Sequence, residues 1–174
     1  MVRPSVALLL AALLLPVASA GDAAAPAGDS FEKLKALAGD WIDVDGGFGM
    51  KDQVAVRYRT TGNGSAVVET LFSGTPTEMM TVYHKDGGDL VLTHYCSGGN
   101  QPRMRAKGGA SATGDVLAFD FDGGTNLDPS KDPHMHSCRI EFLGPDEVKG
   151  EWQGWAQGKA DAGHVARFHL KRKK

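Results

Sequence analysis

From residue 40 to residue 171 the chain alternates apolar and polar side chains with period two, and Gly, Asp or Asn interrupts the alternation at short intervals. This pattern makes each segment a half-buried strand whose successive side chains point to opposite faces. It is incompatible with a helical bundle or with regularly alternating strands and helices. Strands are predicted at 40–45, 52–60, 65–72, 78–85, 90–96, 101–107, 115–121, 134–143, 147–156 and 164–171, roughly ten in all. An open sheet of that size exposes two edges, and closure removes both. The expected fold is therefore all-β, an up-and-down antiparallel barrel, with a two-layer sandwich as the other all-β solution.

The segments before the strands have different characters. Asp29 and Glu32 stand at capping-box spacing, and Phe31, Leu34, Leu37 and Ala38 recur at helical intervals until Gly39. A short N-terminal helix is expected there, as a plug or lid. Residues 1–20 have the parts of a secretory signal: Arg3, an apolar run from Val6 to Leu15, and Ala18-Ser19-Ala20. Cleavage is expected after Ala20, placing the mature chain in a periplasm or outside the cell. The apolar run is shorter than the about 20 residues a spanning helix needs, so no membrane span is expected. Residues 21–29 are small and polar and read as a disordered leader, leaving 30–174 as one barrel domain. With a formal net charge of −2, the basic cluster Lys171, Arg172, Lys173 and Lys174 reads as a solvated end, and nucleic acid is not an expected partner.

The connections sort into two groups. Those at 61–64, 86–89, 108–114 and 144–147 are tight, whereas 46–51, 73–77, 97–100, 122–133 and 157–163 are longer or irregular. In a meander, alternate connections lie at the same end, so one end is expected to be closed by hairpins and the other open and loop-rich. Leu90 and Leu92 share a strand face with His94 and Cys96; Ile140 and Phe142 share one with His134, His136 and Cys138. Leu117, Phe119, Phe121, Met104, Val54 to Tyr58 and Trp152 are read as inward too, while the face of Glu69 stays undecided. Both histidine-bearing segments reach the loop-rich end. An apolar chamber with a few polar groups at its mouth is the pattern of a ligand pocket. Its expected ligand-binding residues are Tyr83, His94, Asn100, Gln101, Met104, His134, His136 and Trp152, and its expected partner is a small apolar or amphipathic molecule.

The same residues allow three chemistries. In an exported chain, Cys96 and Cys138 suggest a disulfide, although strands three places apart are separated by more than ~10 Å and a disulfide needs Cα atoms within ~6.8 Å. His94, Cys96, His134, His136 and Cys138 would supply nitrogen and sulfur to zinc or copper, with Met79 and Met104 as soft additions. A histidine or thiolate at the mouth could instead act as base or nucleophile, Cys96 beside His94 being the nearest such pair. No nucleophile-elbow motif accompanies them.

Gly39-Asp40-Trp41, entered from a short helix, resembles the G-x-W signature of lipocalins. That resemblance implies a tryptophan closing the base of the barrel against a basic residue near the last strand, for which Arg167 is the nearest match. A second lipocalin motif of the T-D-Y type is missing, so the chain looks like a divergent member of the wider calycin group. Length and strand order are also similar to nitrobindin-like haem proteins, whose C-terminal haem-binding histidine would correspond to His164 or His169; Gly46, Gly47 and Gly49 echo their glycine pattern loosely. Together these features lead to the expectation of an exported small-molecule-binding barrel, the alternatives being a metal- or haem-binding barrel or an enzyme.

Overall fold

The computed structural model describes residues 29–109 and 114–174. The expected signal at 1–20 and most of the leader at 21–29 lie outside the described residues, as does the middle of the turn expected at 108–114. Among the described residues the chain forms a helix, α1 (Ser30–Ala36), and ten strands: β1 (Gly39–Asp43), β2 (Val54–Thr61), β3 (Ala66–Leu71), β4 (Met79–Asp86), β5 (Asp89–Tyr95), β6 (Gln101–Ala106), β7 (Val116–Thr125), β8 (His134–Gly144), β9 (Glu147–Ala156) and β10 (Lys159–Arg172). Each strand pairs antiparallel with its sequence neighbour, and β10 pairs with β1, so the sheet closes into an up-and-down barrel.

Two boundaries depart from expectation. Strand β7 continues to Thr125 rather than ending near 121. The irregular loop expected at 157–163 is instead a two-residue hairpin: Ala156 pairs with Lys159, and the ladder is interrupted between Ala160 and Val165. Gln157 and Gly158 both have positive φ, at 53° and 69°, which matches the right-handed twist of the strands they join. The loop-rich end is therefore built from 44–53, 72–78, 96–100 and 126–133.

The opposite end is plugged by α1. Asp29 caps the helix, its Oδ1 accepting from the backbone N–H groups of Phe31 and Glu32. Glu32 pairs with Lys35 at 3.0 Å. Phe31, Leu34 and Leu37 are buried in the barrel base. Lys33, also buried, reaches Asp115 at 2.8 Å and the carbonyl of Gly114.

Trp41 is fully buried there, and its indole N–H donates to Leu37 O at 2.7 Å. The basic partner is Arg172. Its guanidinium lies 4.7 Å from the Trp41 ring centroid and donates to Ala36 O, Ala38 O, Pro145 O and the Asp146 carboxylate. The resemblance had pointed to Arg167, whose side chain is 73% exposed and paired with Glu151. Register explains the difference, because antiparallel pairing sets Trp41 against Arg172. The C-terminal basic cluster is thus only partly a solvated end.

Replacing Arg172 by Ala is expected to cost about 2 kcal/mol, because one charged group satisfies several carbonyls and covers the tryptophan. Arg167→Ala should change stability by less than about 0.5 kcal/mol. Urea unfolding of both variants checks the contrast; equal effects would remove Arg172 from its role.

Candidate functional site

The barrel mouth is shaped by one carboxylate and two phenylalanines. Asp43, fully buried at the end of β1, accepts from the backbone N–H groups of Gly46, Gly47, Phe48 and Met50 at 3.0–3.1 Å. This folds loop 44–53 back over the mouth. Gly47 is required for the approach, since a Cβ there would lie 2.1 Å from Arg167 O. Phe48 is thereby placed between Phe72, edge-on at 5.4 Å, and Phe168, stacked at 5.4 Å. Phe72 has a φ of 55°, a conformation unfavourable for a bulky L residue, which its surroundings hold in place. Its N–H is tied to Ala55 O at 2.9 Å and its ring lies at the mouth.

Behind these rings lies an apolar cavity of about 80 Å³ lined by Phe48, Leu71, Phe72, Met79, His94, Met135, Trp152 and Ala166. His94 is its one ionisable residue. The imidazole is 2% exposed and lies 5.0 Å, centroid to centroid, from the Trp152 ring. Burial pushes its pKa down to about 4, so it is neutral at pH 7. Nδ1 bonds the Thr81 hydroxyl at 3.0 Å, while Nε2 is among the buried polar atoms with no hydrogen-bond partner.

A polar chain supports His94 from deeper in the barrel. Cross-strand register places Tyr58, Glu69, Thr81 and His94 opposite one another on β2, β3, β4 and β5. Glu69 is buried and accepts from Tyr58 Oη at 2.7 Å and Tyr83 Oη at 2.9 Å, with Thr81 directly opposite it on β4. Burial raises the Glu69 carboxyl pKa, and the three hydroxyls pull it back. Burial likewise pushes both tyrosines and the Cys138 thiol well above their ordinary values, with Glu69 adding to each.

The other expected ligand residues are distributed differently. Trp152 lines the cavity with His94, and Tyr83 sits one layer deeper on Glu69. Met104 is buried opposite Leu92 and Phe121. Asn100 donates to Pro133 O at 2.8 Å, its Oδ1 buried and without a hydrogen-bond partner; Gln101 Oε1 accepts from Thr125 and Asn126. His134 and His136 do not line the cavity. The β8–β9 ladder shifts register between Met135 and Ser137, so the alternation counted back from Cys138 changes phase and Met135 takes the inward position. The two histidines instead join Phe121 and Trp155: His136 is sandwiched between Trp155 at 3.7 Å and Phe121 at 4.6 Å, and bonds His134 at 2.9 Å.

Cys96 and Cys138 are both free, so the disulfide that an exported chain suggests, and that strand separation argues against, is not formed. Cys96 is partly exposed and accepts from Gly98 N–H at the mouth, whereas Cys138 is buried in β8 between Phe119 and Trp152 of the flanking strands. Among the described residues no three His, Cys, Asp or Glu side chains gather as a metal site, so the five-residue set expected for zinc or copper is not assembled. Of the histidines suggested for haem, His169 uses both ring nitrogens on Asp45 and Glu147. His164 packs across Gly154.

No family model and no curated protein matches this chain. Glu69, Phe48, Leu71, Phe72, Met135 and Ala166 are the members that sequence patterning did not assign. Glu69 could have been found by carrying register through the tight turn after β2, which sets it opposite the inward Tyr58.

Two outcomes follow. Unfolded chain takes up a proton near the ordinary histidine pKa of 6.5, whereas folded His94 does so only near 4. His94 therefore contributes stability above pH 6.5 that is lost as pH falls toward 4, about 3 kcal/mol in total. Urea titrations at several pH values should show a shallower acid loss in His94→Phe than in wild type, and parallel curves would contradict this assignment. In thiol titration with Ellman's reagent, Cys96 should react in the native protein and Cys138 only after unfolding; no rise on unfolding would contradict the burial of Cys138.

Proposed function

We propose that this chain is an exported barrel that binds a small, mainly apolar molecule at its loop-rich end, in the lipocalin-like manner suggested by Gly39-Asp40-Trp41. The observation that carries this role is the apolar cavity with His94 at its wall, a buried imidazole whose Nε2 lacks a hydrogen-bond partner. A buried polar nitrogen left unpaired costs about 1–3 kcal/mol, a cost that a bound molecule with one suitable polar group would offset. The strained Phe72 and the glycine-dependent approach of Phe48 support the same role, because both place aromatic surface at the entrance instead of merely joining strands. Ten strands exceed the eight of the usual lipocalin barrel, so kinship within the calycin group belongs to this proposal too.

Size bears on the occupant. At about 80 Å³ the cavity falls well below the ~300–1,000 Å³ typical of pockets for drug-sized ligands, and it offers no room for a haem macrocycle without rearrangement of the mouth. A single-ring or short branched molecule fits the role.

Phenol is a suitable first probe. Titrated into the protein, it should shift the methyl resonances of Met79 and Met135 saturably and quench the fluorescence of Trp152. Ala166→Phe, which fills the cavity, should abolish both effects while leaving the thermal transition cooperative. Non-saturable shifts, or shifts unchanged by Ala166→Phe, would contradict binding at this place.

A further inference from the structure

We infer that His134 and His136 form a latch across a seam in the barrel wall, one that holds a single added proton while closed and parts when both rings are charged. The latch stands independently of what the cavity takes. It lies where the β7–β8 ladder stops: pairing runs from Val116–Glu141 to Asp120–Ser137, whereas β7 continues to Thr125 and β8 begins at His134. Beyond Asp120, side chains join the two strands in place of the ladder. Phe121 of β7 stacks on His136 of β8 at 4.6 Å with 12° between the planes, and Trp155 of β9 stacks on the same imidazole at 3.7 Å, also at 12°. Met135, between the two histidines in sequence, lines the apolar cavity, so this seam belongs to the cavity wall as well.

The hydrogen bonds fix where the protons sit. Asp132 O can only accept, so the 2.8 Å bond to it puts a proton on His134 Nδ1. Neutral His134 then has a bare Nε2, which accepts from His136 Nδ1–H at 2.9 Å. His136 Nε2, bare in its turn, has no hydrogen-bond partner among the described residues and, on a half-buried ring, stays open to water. A first added proton therefore goes to His136 Nε2, and no bond in the chain is lost. Wherever the bridging proton then lies, two rings share the charge, with the π faces of Phe121 and Trp155 against one of them. A second proton has to enter the bridge, where it sets two N–H groups against each other and puts two cations on rings 5.1 Å apart. Burial first, then His134, hold the pKa of His136 below its ordinary value, and Asp120 of β7 opposes them. The Asp132 carboxylate is turned to Asp128 N–H, β9 carries the uncharged Trp155 and Gln153, and β10 brings His164 across Gly154.

Acidification of the full chain tests this. Long-range proton–nitrogen NMR of imidazole-labelled protein near pH 8 should find the proton on Nδ1 of both rings; a neutral ring protonated at Nε2 overturns the proton count. As pH falls, the carbon-bound protons of His136, shifted upfield by the flanking rings, should keep that shift through the first protonation and lose it in a second step at least about one pH unit lower. Loss of the shift with the first proton, or its retention when both rings are charged, overturns the latch. The parted seam should also let 4,4′-dithiodipyridine reach Cys138, two residues from His136, at least about tenfold faster across the second step, with far-UV circular dichroism unchanged. No such rise in wild type overturns the opening of the seam. His136→Phe keeps a ring in the stack and removes the second charge, so the acid rise should vanish; a rise of equal size in that variant overturns its assignment to the histidine pair.

Discussion

Closure of the sheet depends on its shortest seam. Strands β1 and β10 join through Trp41, Ile42 and Asp43 against Arg172, Lys171 and Leu170, and without that pairing the other strands would form an open sheet with two exposed edges. The seam is reinforced at its base by the stacking of Arg172 on Trp41 and by the carbonyls gathered around the guanidinium. At its other end Asp43 gathers the backbone of the following loop. One short strand thus holds the plugged base and the aromatic mouth, with the interior enclosed between them.

Enclosure is what makes the polar chain inside informative. A carboxylate withdrawn from water is costly unless its lone pairs are filled, and Glu69 meets that demand with hydroxyls from flanking strands. Two apolar residues at these positions would fill a barrel core at lower cost. The arrangement instead satisfies every member except the outermost nitrogen. The unpartnered nitrogen belongs to a residue of the cavity wall, and the other buried atom without a hydrogen-bond partner among the described residues, Asn100 Oδ1, lies at the loop-rich end.

Much of the architecture was legible because a barrel wall is periodic. The strands, the plug helix and the inward face of His94 follow from alternation anchored on Leu90 and Leu92, and tight turns carry that phase from strand to strand. The parts that were not legible are those where periodicity breaks. One register shift in β8 exchanges Met135 for the histidines beside it, and an inserted residue leaves no mark in composition. Glu69 lies in a strand whose two faces both look apolar, so its direction is visible only through its partner Tyr58. Arg167 and Arg172 are chemically alike, and strand register alone distinguishes the exposed one from the clamp. The free cysteines, by contrast, agree with the separation around the barrel that strand order alone had implied.

The anchoring of loop 44–53 also governs traffic. Swinging the loop outward as a hinge would strand the Asp43 carboxylate without its backbone donors, a penalty of several kcal/mol. Rotation of the Phe48 and Phe72 rings breaks none of those bonds. Under the proposed binding role, admission would be governed by aromatic side chains turning in place, a faster motion than loop opening. Such an entrance would sort molecules by cross-section: flat or slender guests would exchange rapidly, and bulky ones would be refused.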